Sequence, residues 1–252
     1  ECPWGHVQMA LIYRTDKMNS APSSLAELAV FVKENPGVFT FSRDFTGFTL
    51  LKAWLVELGG SKEVLTGQFD EELYNELSKE LWDFINTNKH NFWKNGTTFP
   101  TTVSQLHQLY ASGEVWFTMS NNDREIDNKT HQGIFPEEST AFLWKSGTIR
   151  NTHYLGIPTL AKEKEAAMVC LNFLISPEAQ LKKAHTDVWG DGTVLDRTKL
   201  RENEVALFEK SREGGKAISE KILQQNALME PDPAYMIRLT RDFERFVLHH
   251  AD

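Results

Sequence analysis

A chain of 252 residues with 40% hydrophobic content can bury a substantial core, as one large domain or two small lobes, and its composition excludes a disordered polymer. The formal charge of -8, from 27 Lys and Arg against 35 Asp and Glu, comes without a basic block, so the phosphate-neutralising force behind nucleic-acid binding is missing and no nucleic acid partner is expected. No apolar run has membrane-spanning length, the opening Glu1 to His6 lacks the charged and apolar regions of a signal peptide, and Cys2 and Cys170 leave the compartment open, Cys170 reading as a buried thiol in an apolar helix.

In chain order, Pro3-Trp4-Gly5 precedes Val7, Met9, Leu11 and Tyr13, an alternation that reads as a strand entered at Trp4. A strand so close to residue 1 needs neighbours, so an earlier segment is expected to be absent from the chain as given. Ser24 and Glu27 form a capping box ahead of Leu25, Leu28, Ala29 and Val32, and Asn35-Pro36-Gly37 ends that helix. The stretch around which the chain is organised follows: Phe39, Thr40 and Phe41 as a strand, then a loop, then Leu50, Leu51, Trp54, Leu55 and Leu58 at helical spacing. Asp44 or Thr46 can cap this helix, and Gly47 lets the backbone approach whatever sits above its start. A small-molecule contact is the functional reading of that loop, and a well-capped helix the structural one.

Gly59-Gly60 stops the helix, and Leu73, Leu77, Leu81 and Phe84 mark one apolar face of a helix from Phe69 to Ile85. Trp93 to Pro100 reads as a loop and Ser104 as the cap of a short helix through Leu106, Leu109 and Tyr110. Val115, Phe117 and Met119 form a strand that runs into Ser120-Asn121-Asn122-Asp123. A loop beyond the carboxyl end of a strand is where open α/β sheets bind ligands, although Asn and Asp also simply favour turns. Ala141 to Trp144 and Tyr154 to Pro158 read as strands, Glu163 to Ile175 as a helix, and Ser176-Pro177 as the cap and first residue of the next. Glu204 to Gln225 reads as a charged helix, and Asp232-Pro233 opens a last amphipathic one through Met236, Leu239, Phe243 and Val247. Strands alternating with helices predict an α/β fold with a largely parallel or mixed sheet.

Catalytic machinery is not visible: the sequence has no Gly-x-Ser-x-Gly elbow, Walker loop, dinucleotide Gly-x-Gly-x-x-Gly or Cys-x-x-Cys pair, and no cofactor is implied. His249 and His250 stand at the end of the last helix, where they favour its dipole and are not expected to hold metal. What stands out is aromatic and amide density at element ends, at Trp4, Phe45, Asn121, Asn151, His153 and Trp189. Aromatic walls with a few polar groups build small-solute pockets, while packing or capping is the structural alternative for each residue singly.

Phe173-Leu174-Ile175-Ser176-Pro177-Glu178-Ala179-Gln180 resembles the helix-pair phrase of extracellular solute-binding proteins of ABC transporters. Asp44-Phe45-Thr46-Gly47, Asn151-Thr152-His153, Trp189-Gly190-Asp191 and Val194-Leu195-Asp196 narrow the resemblance to the YnjB-like group, and it extends along most of the chain. It implies a fold like that of type 2 periplasmic-binding proteins: two α/β lobes joined by crossing strands, a small-molecule solute held between them, a membrane permease as partner, and a periplasmic or extracellular location. On that resemblance residues 1–11 make the first crossing, 12–150 the second lobe, 151–195 the return crossing and part of the first lobe, and 196–252 the C-terminal helices. The beginning of the first lobe has no counterpart here, so weakened solute binding or a homodimer through the uncovered surface is expected. The chain also departs from the family at Ser42-Arg43, where a proline-rich step is frequent, and at Gly192, where proline is usual.

Three functions follow from these readings. The first is a non-enzymatic solute-binding component of an importer, with a cationic organic solute favoured by acidic balance and aromatics. The second is an enzyme using Asp44 and His153 as an acid and base pair, and the third a sensory binding module without a transporter.

Overall fold

The alternation that begins near Trp4 produces an extended run, but one divided between two sheets. In the computed structural model, which describes residues 1–211, 213 and 215–248, it forms β1 (Cys2–Gln8) and β2 (Ala10–Arg14) with a break at Met9. There follow α1 (Leu25–Glu34), α2 (Phe45–Leu58), α3 (Glu71–Asn88), α4 (Val103–Ala111), β3 (Phe117–Ser120), α5 (Glu125–His131), β4 (Ser139–Phe142) and β5 (Thr148–Leu155). The remainder comprises α6 (Lys164–Leu174), α7 (Pro177–Ala184), α8 (Glu202–Lys210), α9 (Glu220–Gln225), β6 (Ala227–Leu228) and α10 (Pro233–Phe243), continued by a π-helical turn over Glu244–Leu248. His249 and His250 lie outside the described residues.

The fold is mixed α/β, as expected, but most of its pairing is antiparallel. One sheet has the order β3-β2-β4, with both partners antiparallel to β2; in the other, β1 pairs antiparallel with β5, and β5 pairs parallel with β6. The β1 and β5 pair is therefore a two-way ribbon that carries the chain out and back. Met9, at the break, donates its N–H to the Ile149 carbonyl of β5 at 3.0 Å, one step beyond the Gln8 and Arg150 pair.

The core sits around α2. Every residue from Thr46 to Val56 is buried, because the helix is apolar nearly all round and α3, α10 and the sheets cover it on several sides. Trp54 is fully buried, with its ring edge-on to Phe41 and Phe84 and tilted against Trp144. Phe243 of α10 meets Phe41, Phe48, Trp82 and Phe99, so the amphipathic last helix closes the core by its aromatic face. By contrast α6 buries none of its residues, and Met168, Val169 and Phe173 are 61%, 71% and 59% exposed. Cys170 lies on this helix and is exposed, which corrects its reading as a buried thiol.

Several boundaries differ from the sequence reading for identifiable reasons. Phe39 to Phe41 is buried and extended but joins no ladder. Its backbone partners are scattered: Phe39 accepts from Trp93 at 2.8 Å, Val38 from Trp116 at 2.8 Å, and Arg43 donates to Pro100 at 2.9 Å. Thr102, not Ser104, caps α4, its hydroxyl accepting the Gln105 N–H at 3.3 Å. The strand placed at Tyr154 to Pro158 runs earlier, because pairing with β1 takes Arg150 to Leu155 and leaves Gly156 and Pro158 beyond the ladder. Ala141 to Trp144 likewise shifts to Ser139–Phe142 through its pairing with β2. The charged stretch Glu204 to Gln225 divides into α8 and α9, with Gly215 between them.

Candidate functional site

The start of α2 is built by one carboxylate. Asp44 caps it: Oδ1 accepts the Gly47 N–H at 3.3 Å and the Ser42 hydroxyl at 2.7 Å, while Oδ2 accepts the Val103 N–H at 2.6 Å. The N-termini of α2 and α4 are thus tied to the same side chain. Gly47 is required by the close turn, since a Cβ there would lie 1.5 Å from the Ser42 carbonyl oxygen. Directly before the buried run, Phe45 is 53% exposed, and Thr46 accepts a hydrogen bond from Asn121 Nδ2 at 3.1 Å. The helix start and the loop after β3, two separate candidates in the sequence, are therefore joined.

A second string of contacts leads from Phe45 to the crossing ribbon. Lys52 is 1% exposed; its Nζ lies 5.2 Å from the centre of the Phe45 ring and is ion-paired with Glu230, whose other oxygen accepts from Asn151 Nδ2 at 2.9 Å. Burial holds the Lys52 pKa below its ordinary value, and the Glu230 charge opposes that shift. Asp44, Phe45, Thr46, Gly47, Asn121 and Asn151 thus belong to one contact chain, in which Lys52 and Glu230 are the links the sequence reading missed. A lysine inside the apolar stretch of α2 was the available signal, because a charge at a core position needs a partner.

Trp4 and Trp189 form a separate aromatic pair, ring centres 4.8 Å apart and edge to face. Below them, Lys183 Nζ bonds the Trp4 carbonyl and Asp191 Oδ2, each at 2.8 Å, and lies 4.9 Å from the Trp4 ring centre. Gly5 must be glycine for this arrangement, since a Cβ would sit 2.2 Å from Asp191 Oδ2. The two tryptophans, Phe173 and Leu174 line an open apolar groove of about 690 Å³ beside α6 and α7. His153 is exposed on β5 opposite Gly5, and the three donors that the Asp44 carboxylate accepts from include no imidazole.

Against the other residues of the ribbon lies a cavity of about 240 Å³, lined among others by His6, Gln8, Arg150, Asp191 and Glu220. His6 Nδ1 is 2.9 Å from the Thr152 hydroxyl, and its pKa is lowered first by burial and then by the Arg150 charge. Arg150 is itself paired with Glu220 at 2.9 Å. The sequence signal for this wall was the pair His6 and Gln8 at alternate positions of a strand whose other residues are apolar or small. Among the described residues there is no group of three His, Cys, Asp or Glu side chains able to hold a metal ion, and no helix is long and apolar enough to cross a membrane.

A family model described as bacterial extracellular solute-binding protein matches residues 2–205. Protein YnjB of Escherichia coli (strain K12) is 34% identical over 202 residues, which is 79% of this chain and 52% of that protein. The chain therefore spans about half the length of this curated relative. Among solved structures, maltose-bound MalE3 of T. maritima has a TM-score of 0.64 at 19% identity, covering 98% of this chain and 66% of that one. A periplasmic thiamin binding protein has a TM-score of 0.54 at 15% identity, covering 83% of this chain and 65% of that one. At these identities the likeness shows the fold, that of type 2 periplasmic binding proteins, and says nothing of the solute.

Proposed function

The chain belongs to the bacterial extracellular solute-binding proteins, and from that premise we propose that it captures a small polar solute between two α/β lobes and presents it to the membrane permease of an ABC importer. The lobes of this reading are residues 12–150 and the part of the first lobe returning over 151–195, with 1–11 as the hinge strand and 196–252 as C-terminal helices. The observation that carries it is Phe45, an exposed aromatic at the mouth of a helix buried over its next eleven residues, followed by Thr46, which holds the Asn121 amide, and faced by Lys52, which pairs with Glu230. Trp4 and Trp189, with His153 on the neighbouring strand, supply the second wall. A cationic organic solute suits these groups: Lys52 occupies one face of Phe45 and is matched by Glu230, whereas Trp189 is 44% exposed and offers its ring to a ligand cation. The site lies outside the cytoplasmic membrane and turns nothing over.

Native mass spectrometry of the purified protein tests this reading directly. A carried-over organic cation should be seen, and after incubation it should be recovered unmodified; conversion of the bound compound would favour the enzyme reading with Asp44 and His153. The exposed apolar face of α6 is proposed to associate with a second copy of the chain, which light scattering would read as a dimer. A monomer in solution would refute that association.

A further inference from the structure

None of the residues around Phe45 or Trp4 lines the groove of about 340 Å³ that runs between α3 and the α10 segment. Its charge comes from spacing: Arg238, Arg241 and Arg245 recur at i, i+3 and i+7, on one face of α10 and the turn that continues it, and Lys79 of α3 joins them in the lining. Two carboxylates, Asp83 and Asp242, also line it. Asp242 is 4% exposed and already engaged, accepting from the Tyr74 hydroxyl and from Arg241 Nε at 3.0 Å each.

Arg238 is fixed in place. Nη1 donates to Glu71 at 2.8 Å, Nη2 to Asn75 at 3.3 Å, and the guanidinium carbon lies 5.1 Å from the Tyr74 ring centre. Among the described residues Lys79 and Arg245 have no carboxylate within ion-pair distance, although Arg245 rests on Phe246. Three buried side-chain atoms of the lining residues have no hydrogen-bond partner among the described residues: two donors, the Trp82 indole N–H and Arg238 Nε–H, the latter 3.7 Å from Asp242 Oδ2, and one acceptor, Asn86 Oδ1. Four cations, Lys79, Arg238, Arg241 and Arg245, therefore line this groove against two carboxylates, on a chain whose net charge is -8. Unpaired cations held together repel one another, and a bound anion removes that repulsion. Arg245 also stands in a π-helical turn, a distortion that recurs at functional sites.

We propose that this groove binds a phosphate-type oxyanion, with Lys79 and Arg245 supplying charge and Arg238, held by Glu71 and Asn75, offering the remaining N–H groups of its fixed guanidinium. Three donor-bearing side chains converging from two helices suit a tetrahedral oxyanion better than a single carboxylate or a halide. The inference rests on no part of the solute reading, since the two sets of residues are disjoint.

Inorganic phosphate titrated into the chain by calorimetry, against chloride at equal ionic strength, should bind saturably. Lys79→Gln and Arg245→Gln should each weaken it about tenfold, as expected for loss of one charge-assisted contact, while Lys33→Gln on α1 leaves it unchanged. All three side chains are on exposed positions, so the helical circular dichroism of the variants should match that of the parent. Co-sedimentation with phosphatidylglycerol vesicles but not phosphatidylcholine vesicles, lost in the Lys79 and Arg245 double variant, would identify a lipid headgroup as the source. Phosphate binding without co-sedimentation would identify a free phosphate compound. A chloride response equal to that of phosphate, or a double variant that binds phosphate like the parent, would overturn the proposal whatever the result for solute.

Discussion

Asp44→Ala is expected to abolish ligand-induced thermal stabilisation while leaving the helical circular dichroism largely intact. The carboxylate accepts from Ser42, Gly47 and Val103, so its removal strips an acceptor from two backbone N–H groups at once, one at the start of α2 and one at the start of α4. Leaving such donors unpaired costs about 1–3 kcal/mol, so the unliganded protein should also melt earlier. The buried length of α2 keeps the helix itself, because Thr46 to Val56 are packed on every side. What is lost is the placement of Phe45 and Thr46. Asp44→Asn separates a direct contact from a positioning role: its amide oxygen can still accept from one of the N–H groups but carries no charge. Binding retained in Asp44→Asn and lost in Asp44→Ala would assign Asp44 to positioning, and binding lost in both would assign its charge to the solute. Ligand stabilisation unchanged in Asp44→Ala would remove this loop from the site.

How much of this was legible beforehand depends on whether a feature is local. The cap at Asp44, the stop at Gly59, the Ser176 and Pro177 start of α7 and the amphipathic face of α10 each follow from a few adjacent residues, and each stands where the sequence put it. Phe39 to Phe41 has the composition of a strand, yet its neighbours are the turn at Trp93 and the segments at Trp116 and Pro100, which no local rule can supply. Register is likewise non-local: β5 begins at Thr148 because β6 offers a partner there and β1 takes over from Arg150, not because of its own residues. At the site, the aromatic and amide positions were readable from chain order, but the ion pair that links Phe45 to Asn151 joins residues 178 positions apart. Cys170 was misread for a related reason. An apolar helix looks the same in sequence whether or not something covers it, and α6 is uncovered here.

The Lys183 and Asp191 pair is the place where one substitution should cost most stability. Both side chains are almost fully buried, with side-chain exposures of 5% and 0%, and Asp191 Oδ1 has no hydrogen-bond partner among the described residues. Burial lowers the Lys183 pKa, and the hydrogen bond to Asp191 acts against that shift. Asp191→Ala would leave the ammonium with only the Trp4 and Gly192 carbonyls, and an uncompensated buried charge costs about 3–5 kcal/mol. Lys183→Met should cost a similar amount, because it strands the carboxylate instead. The double variant removes both charges and should be more stable than either single one, since an apolar replacement for a buried pair is often neutral. Urea unfolding of the four proteins measures this coupling. Because Lys183 also supports the Trp4 ring, the single variants should loosen the Trp4 and Trp189 pair, seen as a change in tryptophan fluorescence of the folded state. Single variants within about 1 kcal/mol of the parent, the size of an exposed ion pair, would show that the pair is solvated and that the aromatic wall stands without it.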